Sequence, residues 1–480
     1  MTTPPDAAPI CRPEHRRLIL AAAVLASAMG FIDSSVTAIA LPAIRASLAG
    51  SLPAAQWVSG AYLLPLSALI LVSGAASDRF GTVRIFGLGI AAFVASSALC
   101  ALAQTMPQFI AARAAQGIAA ALMVPGSMTL IARAYPRDQR GAALGLWAAA
   151  ATATTALGPV LGGLLLTLGG PQIWRVIFAL NLPLGAAALY LLHRFTTPDP
   201  GRPATALDLP GALLATATLA LFATALTTPY TTPLLSAAAL TAALFLTWQA
   251  KTATPMIPLS LFRNRSFALA NLATLFLYIA LTGVMFYLPM TALAVWHVTP
   301  IAVTAAFLPV SLLIATLSPR AGRLADRIGP FPLIATGALI VAGAYAAIAH
   351  FAPLAQFWTH IVPFMAIAGL GLALLVAPLT AAVMASAPEA QQGTASGINN
   401  ATARMAGLIA VAAMGRLALW SYGPITAETP GFGLPGTAAP HITATSQAFA
   451  TIATLSAALA LASALVASLA LRRPTKLPTI

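Results

Sequence analysis

Acidic side chains are nearly missing from this chain. Its 480 residues include ten Asp and Glu, and charged residues of either sign make up only 7%. A water-exposed domain carries about a quarter charged residues, so this composition cannot build an ordinary soluble surface. Lysine is scarcer still, and Lys251 and Lys476 follow Ala250 and Thr475. That excludes the phosphate-cradling loop, with Lys after Gly, that a nucleotide-driven pump needs. Cysteine occurs twice, at Cys11 in the N-terminal tail and Cys100 inside an apolar run, which leaves no disulfide framework. With six scattered histidines there is no set of ligands for a metal cluster, no nucleophile–base constellation of an enzyme, and no expected cofactor. The net charge of +14 follows from the shortage of acids. Its basic residues sit in short clusters rather than one stripe, so nucleic acid is not an expected partner.

What the chain has in abundance is apolar sequence, at 59% of residues. A helix needs roughly 17–25 apolar residues to cross a bilayer. Runs of that length fall at about 18–40, 54–73, 85–104, 107–130, 141–167, 174–193, 209–227, 233–250, 267–291, 300–318, 331–350, 358–385, 396–418 and 446–470. Each is continuously apolar without the alternation of a barrel strand, so the expected fold class is an all-α membrane protein of fourteen spans. The first run follows Arg12, Arg16 and Arg17 but continues to about Leu41, long enough to span as an uncleaved helix.

Basic residues favour the cytoplasmic side of a membrane. With a cytoplasmic N-terminus, 19 of the 24 Lys and Arg fall on that side, Arg45, Arg175 and Arg416 fall opposite, and Arg113 and Arg404 lie inside spans. Both termini are then expected in the cytoplasm, in a bacterial inner membrane.

Gly74-Ala-Ala-Ser-Asp78-Arg79-Phe-Gly81 follows the second run, and Gly322-Arg-Leu-Ala-Asp326-Arg327-Ile-Gly329 follows the tenth, 248 residues later. The spacing implies two six-helix bundles, at 18–193 and 251–470, with two extra central helices at 209–250. A linker at 194–208 and cytoplasmic tails at 1–17 and 471–480 complete the division. Repeated halves mark secondary transporters, with the substrate site between them near the midplane.

These paired octapeptides resemble the loop signature of the major facilitator superfamily, and the remaining motifs resemble its fourteen-span drug:proton antiporter branch. The resemblance implies a cytoplasmic gate of Gly74, Asp78, Arg79, Gly81, Gly322, Asp326, Arg327 and Gly329. In this gate the glycines make tight turns, Asp78 sits at a helix N-terminus and Arg79 pairs across the halves. Thr82, Val83 and Pro330 stand where the family usually has Arg or Lys. Gly158, Pro159, Gly162 and Gly163 in the fifth run are similar to the antiporter motif, which points to export; Thr154 replaces one of its glycines.

Arg113, Gln116 and Gly117 in the fourth run resemble the family's intramembrane arginine motif. An arginine at mid-helix costs at least roughly 2.5–3.5 kcal/mol in lipid and must find an interior partner. Asp33 is the single acid within a run, 15 residues in and roughly 22 Å from its cytoplasmic end. Desolvation and a neighbouring cation act on a carboxyl in opposite directions. A movement that alters either lets Asp33 take up and release protons, with Arg113 as its modulator. The alternative is that Asp33 braces helices and Arg113 binds backbone carbonyls.

Trp174, Arg175, Phe178, Asn181 and Pro183 resemble the branch's sixth-span signature, and Ser396 to Asn400 with Arg404 its thirteenth-span signature. Trp57, Tyr62, Gln116, Asn181, Tyr278, Phe286, Tyr287, Asn399 and Arg404 are candidates for the substrate cavity; the aromatics can equally face lipid. The expectation is a proton-coupled antiporter, not an enzyme, that exports small lipophilic or monocationic compounds by alternating access. It is expected to work as a monomeric transport unit in the lipid bilayer, alone or with accessory export proteins. Two alternatives stay open: a transporter of this fold dedicated to one native metabolite, and a non-transporting membrane receptor.

Overall fold

The computed structural model describes residues 10–197, 199, 201, 206–388, 391–426 and 429–471. The far ends of both expected tails, Pro198, Pro200, Arg202 and Pro203 of the linker, and Glu389 and Glu428 lie outside the described residues.

Among the described residues, fourteen helices are long and apolar enough to cross a bilayer. The first six are α1 (Pro13–Ser47), α2 (Leu52–Phe80), α3 (Thr82–Leu102), α4 (Met106–Ala134), α5 (Asp138–Gly169) and α6 (Trp174–Phe195). Then come α7 (Leu209–Thr227), α8 (Thr231–Lys251), α9 (Arg265–Val295), α10 (Pro300–Ile328), α11 (Pro330–Leu354) and α12 (Phe357–Ala385), followed by α13 (Gln392–Tyr422) and α14 (Ala439–Ala470). Helix is the form that lets each segment satisfy its own backbone groups in hydrocarbon. Local signals set the ends. Ser51 accepts from Ala54 N, Thr105 and Gln108 form a capping box on α4, and Thr299 caps α10 with Pro300 in its first turn.

The repeated octapeptides are not loops. Gly74 through Phe80 completes α2, and Gly322 through Ile328 completes α10. Only the last glycine of each turns the chain: Gly81 at φ +94° and Gly329 at φ +84°, where a Cβ would be strained. The helices run on because Ala, Leu and Arg between the glycines are good helix formers. The loop before α14 is likewise shorter than expected, because α13 reaches Tyr422 and α14 starts at Ala439.

Within the first six helices, α4 packs against α2 and α3, and α1 against α4, α5 and α6. Within the last six, α11 packs against α12 and α14, α9 against α13 and α14, and α10 against α12. The two sets meet where α2 faces α13, α5 faces α10 and α1 faces α9. The pair α7–α8 pack on each other, and α7 docks on both α2 and α13, so the pair covers this seam from one side. We call the end of the bundle bearing Gly81 and Gly329 the repeat end, and the other the far end.

Candidate functional site

Asp33 lies fourteen residues before the end of α1, roughly 21 Å from it, and is 2% exposed. Arg113 and Gln116, three apart on one face of α4, both turn to it. Arg113 Nη1 donates to Asp33 Oδ2 at 2.5 Å, and Gln116 Nε2 donates to Asp33 Oδ1 at 2.9 Å. Arg113 Nη1 also reaches Gln116 Oε1 at 2.5 Å, and its Nε donates to the Val58 carbonyl at 3.1 Å. Gln116 Nε2 lies 2.8 Å from Ser97 Oγ, which also accepts from Asn181 Nδ2 at 3.2 Å. The guanidinium lies 4.4 Å from the centre of the Tyr62 ring and 5.8 Å from that of Phe178. A buried ion pair recovers its desolvation cost only when the remaining polar groups are satisfied, and here both Asp33 oxygens and the Arg113 Nε and Nη1 have partners.

Five helices contribute to the centre: α1 the acid, α4 the cation and amide, α2 the Val58 carbonyl and Tyr62 ring, α3 Ser97, and α6 Asn181. Helix α6 has a break at Leu180, just before Asn181. Sequence reasoning placed Gln116 and Asn181 on the substrate cavity. Both are instead enclosed, at 0% and 2% exposure, in the shell of the ion pair. It missed Ser97, whose signal was a hydroxyl pair, Ser96-Ser97, in an otherwise apolar run.

The glycines of α5 stand directly behind Asp33. A Cβ at Gly158 would collide with Ser35 Oγ of α1, and one at Gly162 would lie 2.6 Å from Val36. One at Gly163 would lie 2.6 Å from the Pro300 carbonyl of α10, across the seam. Thr167 Oγ1 accepts from Ile301 N at 3.1 Å beside it. Pro159 is within the helix between these contacts.

A belt of contacts joins the two sets of helices toward the far end. Gln56 Nε2 of α2 donates to the Val411 carbonyl of α13 at 2.6 Å and lies 3.2 Å from Tyr287 Oη of α9. Tyr287 Oη donates to the same carbonyl at 2.6 Å. Gly415 makes room for both, because a Cβ there would collide with Gln56 Nε2 and Tyr287 Oη. Arg45 Nη1 donates to the Phe432 carbonyl at 2.6 Å, and the buried Phe432 ring packs against Tyr287 and Tyr422. Gln56 and Gly415 were invisible to the sequence reading, since neither residue type is unusual in a span.

Toward the repeat end the facing helices stand open. A Cβ at Gly74 or Gly393 would meet nothing within 4 Å, whereas one at Gly397, a turn further in, would lie 2.9 Å from Leu71 of α2. Asp78 and Arg79 occupy the last turn of α2, so Asp78 is not at a helix N-terminus; Arg79 lies 5.4 Å from the Phe80 ring centre. Gly322 lies inside α10, and Asp326 and Arg327 are exposed on its last turn. The N-terminus of α3 is held instead by Asp199 of the linker, which accepts from Thr82 N at 2.7 Å and pairs with Arg133. Burial alone would raise the Asp199 carboxyl, but the Arg133 and Thr82 hydrogen bonds outweigh it and hold it below the ordinary range.

The other candidates divide. Trp57 donates to Thr227 of α7 at 3.1 Å, so it anchors the extra pair. Phe286 is buried against Tyr287. Arg175 reaches the Ala101 and Ala103 carbonyls at the end of α3. Asn399 accepts from Thr274 at 2.8 Å, and Tyr278 and Arg404 are half-buried on α9 and α13.

Comparison with known proteins agrees with this geometry. The sequence profile of the Major Facilitator Superfamily matches residues 23–413. The multidrug resistance protein Stp of Mycobacterium tuberculosis (strain CDC 1551 / Oshkosh) is 32% identical over 419 residues, covering 84% of this chain and 76% of the relative. A methylenomycin A resistance protein of Bacillus subtilis (strain 168) is 31% identical over 411 residues, covering 83% and 86%. Among solved structures, a bacterial homologue of the human lysosomal transporter Spinster, inward-facing and unoccupied, superposes with a TM-score of 0.68 at 17% identity. That match covers 94% of this chain and 97% of the other.

Proposed function

This chain belongs to the Major Facilitator Superfamily, and on that premise we propose that it exchanges protons for small lipophilic compounds and carries them out of a bacterial cell. It is a multi-pass membrane transporter rather than an enzyme. The distribution of arginine supports placing the repeat end, with both chain termini, in the cytoplasm. The structure is then the inward-facing state, with the far-end belt shut.

The observation that carries proton coupling is the enclosed Asp33–Arg113–Gln116 centre, whose acid lies deep within a span, where the other described acids of the spans sit in their end turns. The α5 glycines couple it to the seam, because they touch α1 one turn beyond Asp33 on one side and α10 on the other. When the belt opens and the helices rock, the shell around Asp33 has to rearrange, which gives the carboxylate access to protons from outside. Export of an uncharged compound for one proton draws about 1.4 kcal/mol per pH unit and about 2.3 kcal/mol per 100 mV. Relatives named for resistance to a single antibiotic support a second reading, a transporter of this mechanism dedicated to one compound.

The test uses everted membrane vesicles with an acidic lumen. Adding a transported compound should release luminal protons in the wild type and not in Asp33→Asn. Undiminished release by that variant would overturn the coupling role.

A further inference from the structure

Three charged side chains lie deep within the spans. Asp33 and Arg113 cancel each other; Arg404 is left over. It lies twelve residues into α13, roughly 18 Å from its start, where an unmatched arginine is costly in lipid. No carboxylate approaches it among the described residues. Its one hydrogen bond among the described residues is internal to the helix, from Nε to Asn400 Oδ1 at 3.4 Å. The two Nη groups, the fork that binds carboxylates and phosphates bidentately, have no protein acceptor among the described residues and are not sealed off.

Helical spacing fixes where that fork faces. Gly397, Gly407 and Val411 share a face with Arg404, and each looks toward α2: Gly397 at Leu71, Gly407 at Leu63, and Val411 at Gln56. Arg404 therefore stands in the seam between the two sets of helices. Arg113, the other cation deep within the spans, is turned instead to Asp33 and the Tyr62 ring.

We infer that Arg404 is an anion-binding subsite and that the exported compounds are lipophilic molecules bearing one acidic group. This rests on the export reading above and narrows its substrate class. The apolar seam takes the hydrophobic body, and the guanidinium fork takes the carboxylate, sulfonate or phenolate. A cation would meet uncompensated positive charge at the same place, because Asp33 is already neutralised by Arg113. Arg113 and Arg404 are two cations of different duty, one committed to the proton site and one to cargo.

The test compares anilinonaphthalene sulfonate with its uncharged parent, phenylnaphthylamine, and with the cation ethidium. Binding to purified protein is read by quenching of tryptophan fluorescence, and uptake is read in energised everted vesicles. Wild type should bind and accumulate the sulfonate best. Arg404→Gln should weaken sulfonate binding at least about tenfold while leaving phenylnaphthylamine binding unchanged, and Arg404→Lys should recover part of the loss. Equal sulfonate binding by wild type and Arg404→Gln, or a parallel loss of both naphthyl probes, overturns the subsite. A failure of the export reading looks different: sulfonate binding would still depend on Arg404, but no probe would move with the proton gradient.

Discussion

Asp33 could be singled out from the sequence because carboxylates are rare here, and Arg113 because arginine is expensive at mid-span. Of their partners, Gln116 and Asn181 were picked out only through a family resemblance and assigned to the cavity, and Ser97 was not picked out, since serine, glutamine and asparagine are cheap enough in helices to carry no signal alone. The geometry around Arg113 uses three directions at once: Nε to Val58, and Nη1 to both Asp33 and Gln116. A lysine ammonium keeps the charge but cannot span that fork. Arg113→Lys should therefore leave a buried carbonyl or amide unsatisfied and cost about 1–3 kcal/mol of stability. It should also suppress substrate-driven proton release. Thermal unfolding in detergent and the vesicle assay check the two effects; unaltered unfolding would mean that lysine restores the whole shell.

At the scale of elements, the linker after α6 does more than connect. Asp199 and Gly201 press against the Gly81 turn: a Cβ at Gly81 would collide with the Asp199 carbonyl, and one at Gly201 with the Arg79 carbonyl. Asp199 thereby ties the start of α3 to Arg133 at the end of α4. Because its folded carboxyl lies below the ordinary value, its contribution is fully present at neutral pH and is lost as pH falls through the folded value. Asp199→Asn should destabilise by about 1 kcal/mol, the usual worth of a helix cap. The gap from wild type should stay constant between pH 5 and 8 and close below about pH 4, as the wild-type carboxylate also becomes neutral. Melting curves across that range decide it; a gap that widens in acid would contradict the assignment. Nothing in the sequence advertised this role, since a lone Asp among prolines reads as loop.

Across the whole molecule, the far-end belt sets which way the protein faces. One of its cross-links ends on the Val411 carbonyl, which Gln56 reaches from the first set of helices and Tyr287 from within the last, both only because Gly415 leaves a gap in the α13 surface. Gly415→Ala should fill the gap, break both bonds and shift the population toward far-end-open molecules. Spin labels at Ser51→Cys and Ala439→Cys, both exposed at that end, should report longer distances in the variant by double electron–electron resonance. An unchanged distance distribution would show that Gly163 against Pro300 and Arg45 against Phe432 hold the end shut without the clasp.

The number of spans, the helical class and the repeat followed from the sequence alone, because bilayer thickness and backbone satisfaction impose a length and composition on each segment regardless of its neighbours. The acid–arginine pair followed for the same reason: charge in hydrocarbon has so few solutions that its mere presence is informative. Tertiary structure alone decided which polar groups enclose Asp33, that Gly415 rather than an aromatic residue admits the far-end clasp, that Asp199 caps α3, and that Arg404 stands in the seam without a counter-ion among the described residues. These depend on which helix faces lie within a few ångströms of one another, and side-chain reach and helix rotation are set by packing across distant parts of the chain, which no local pattern encodes.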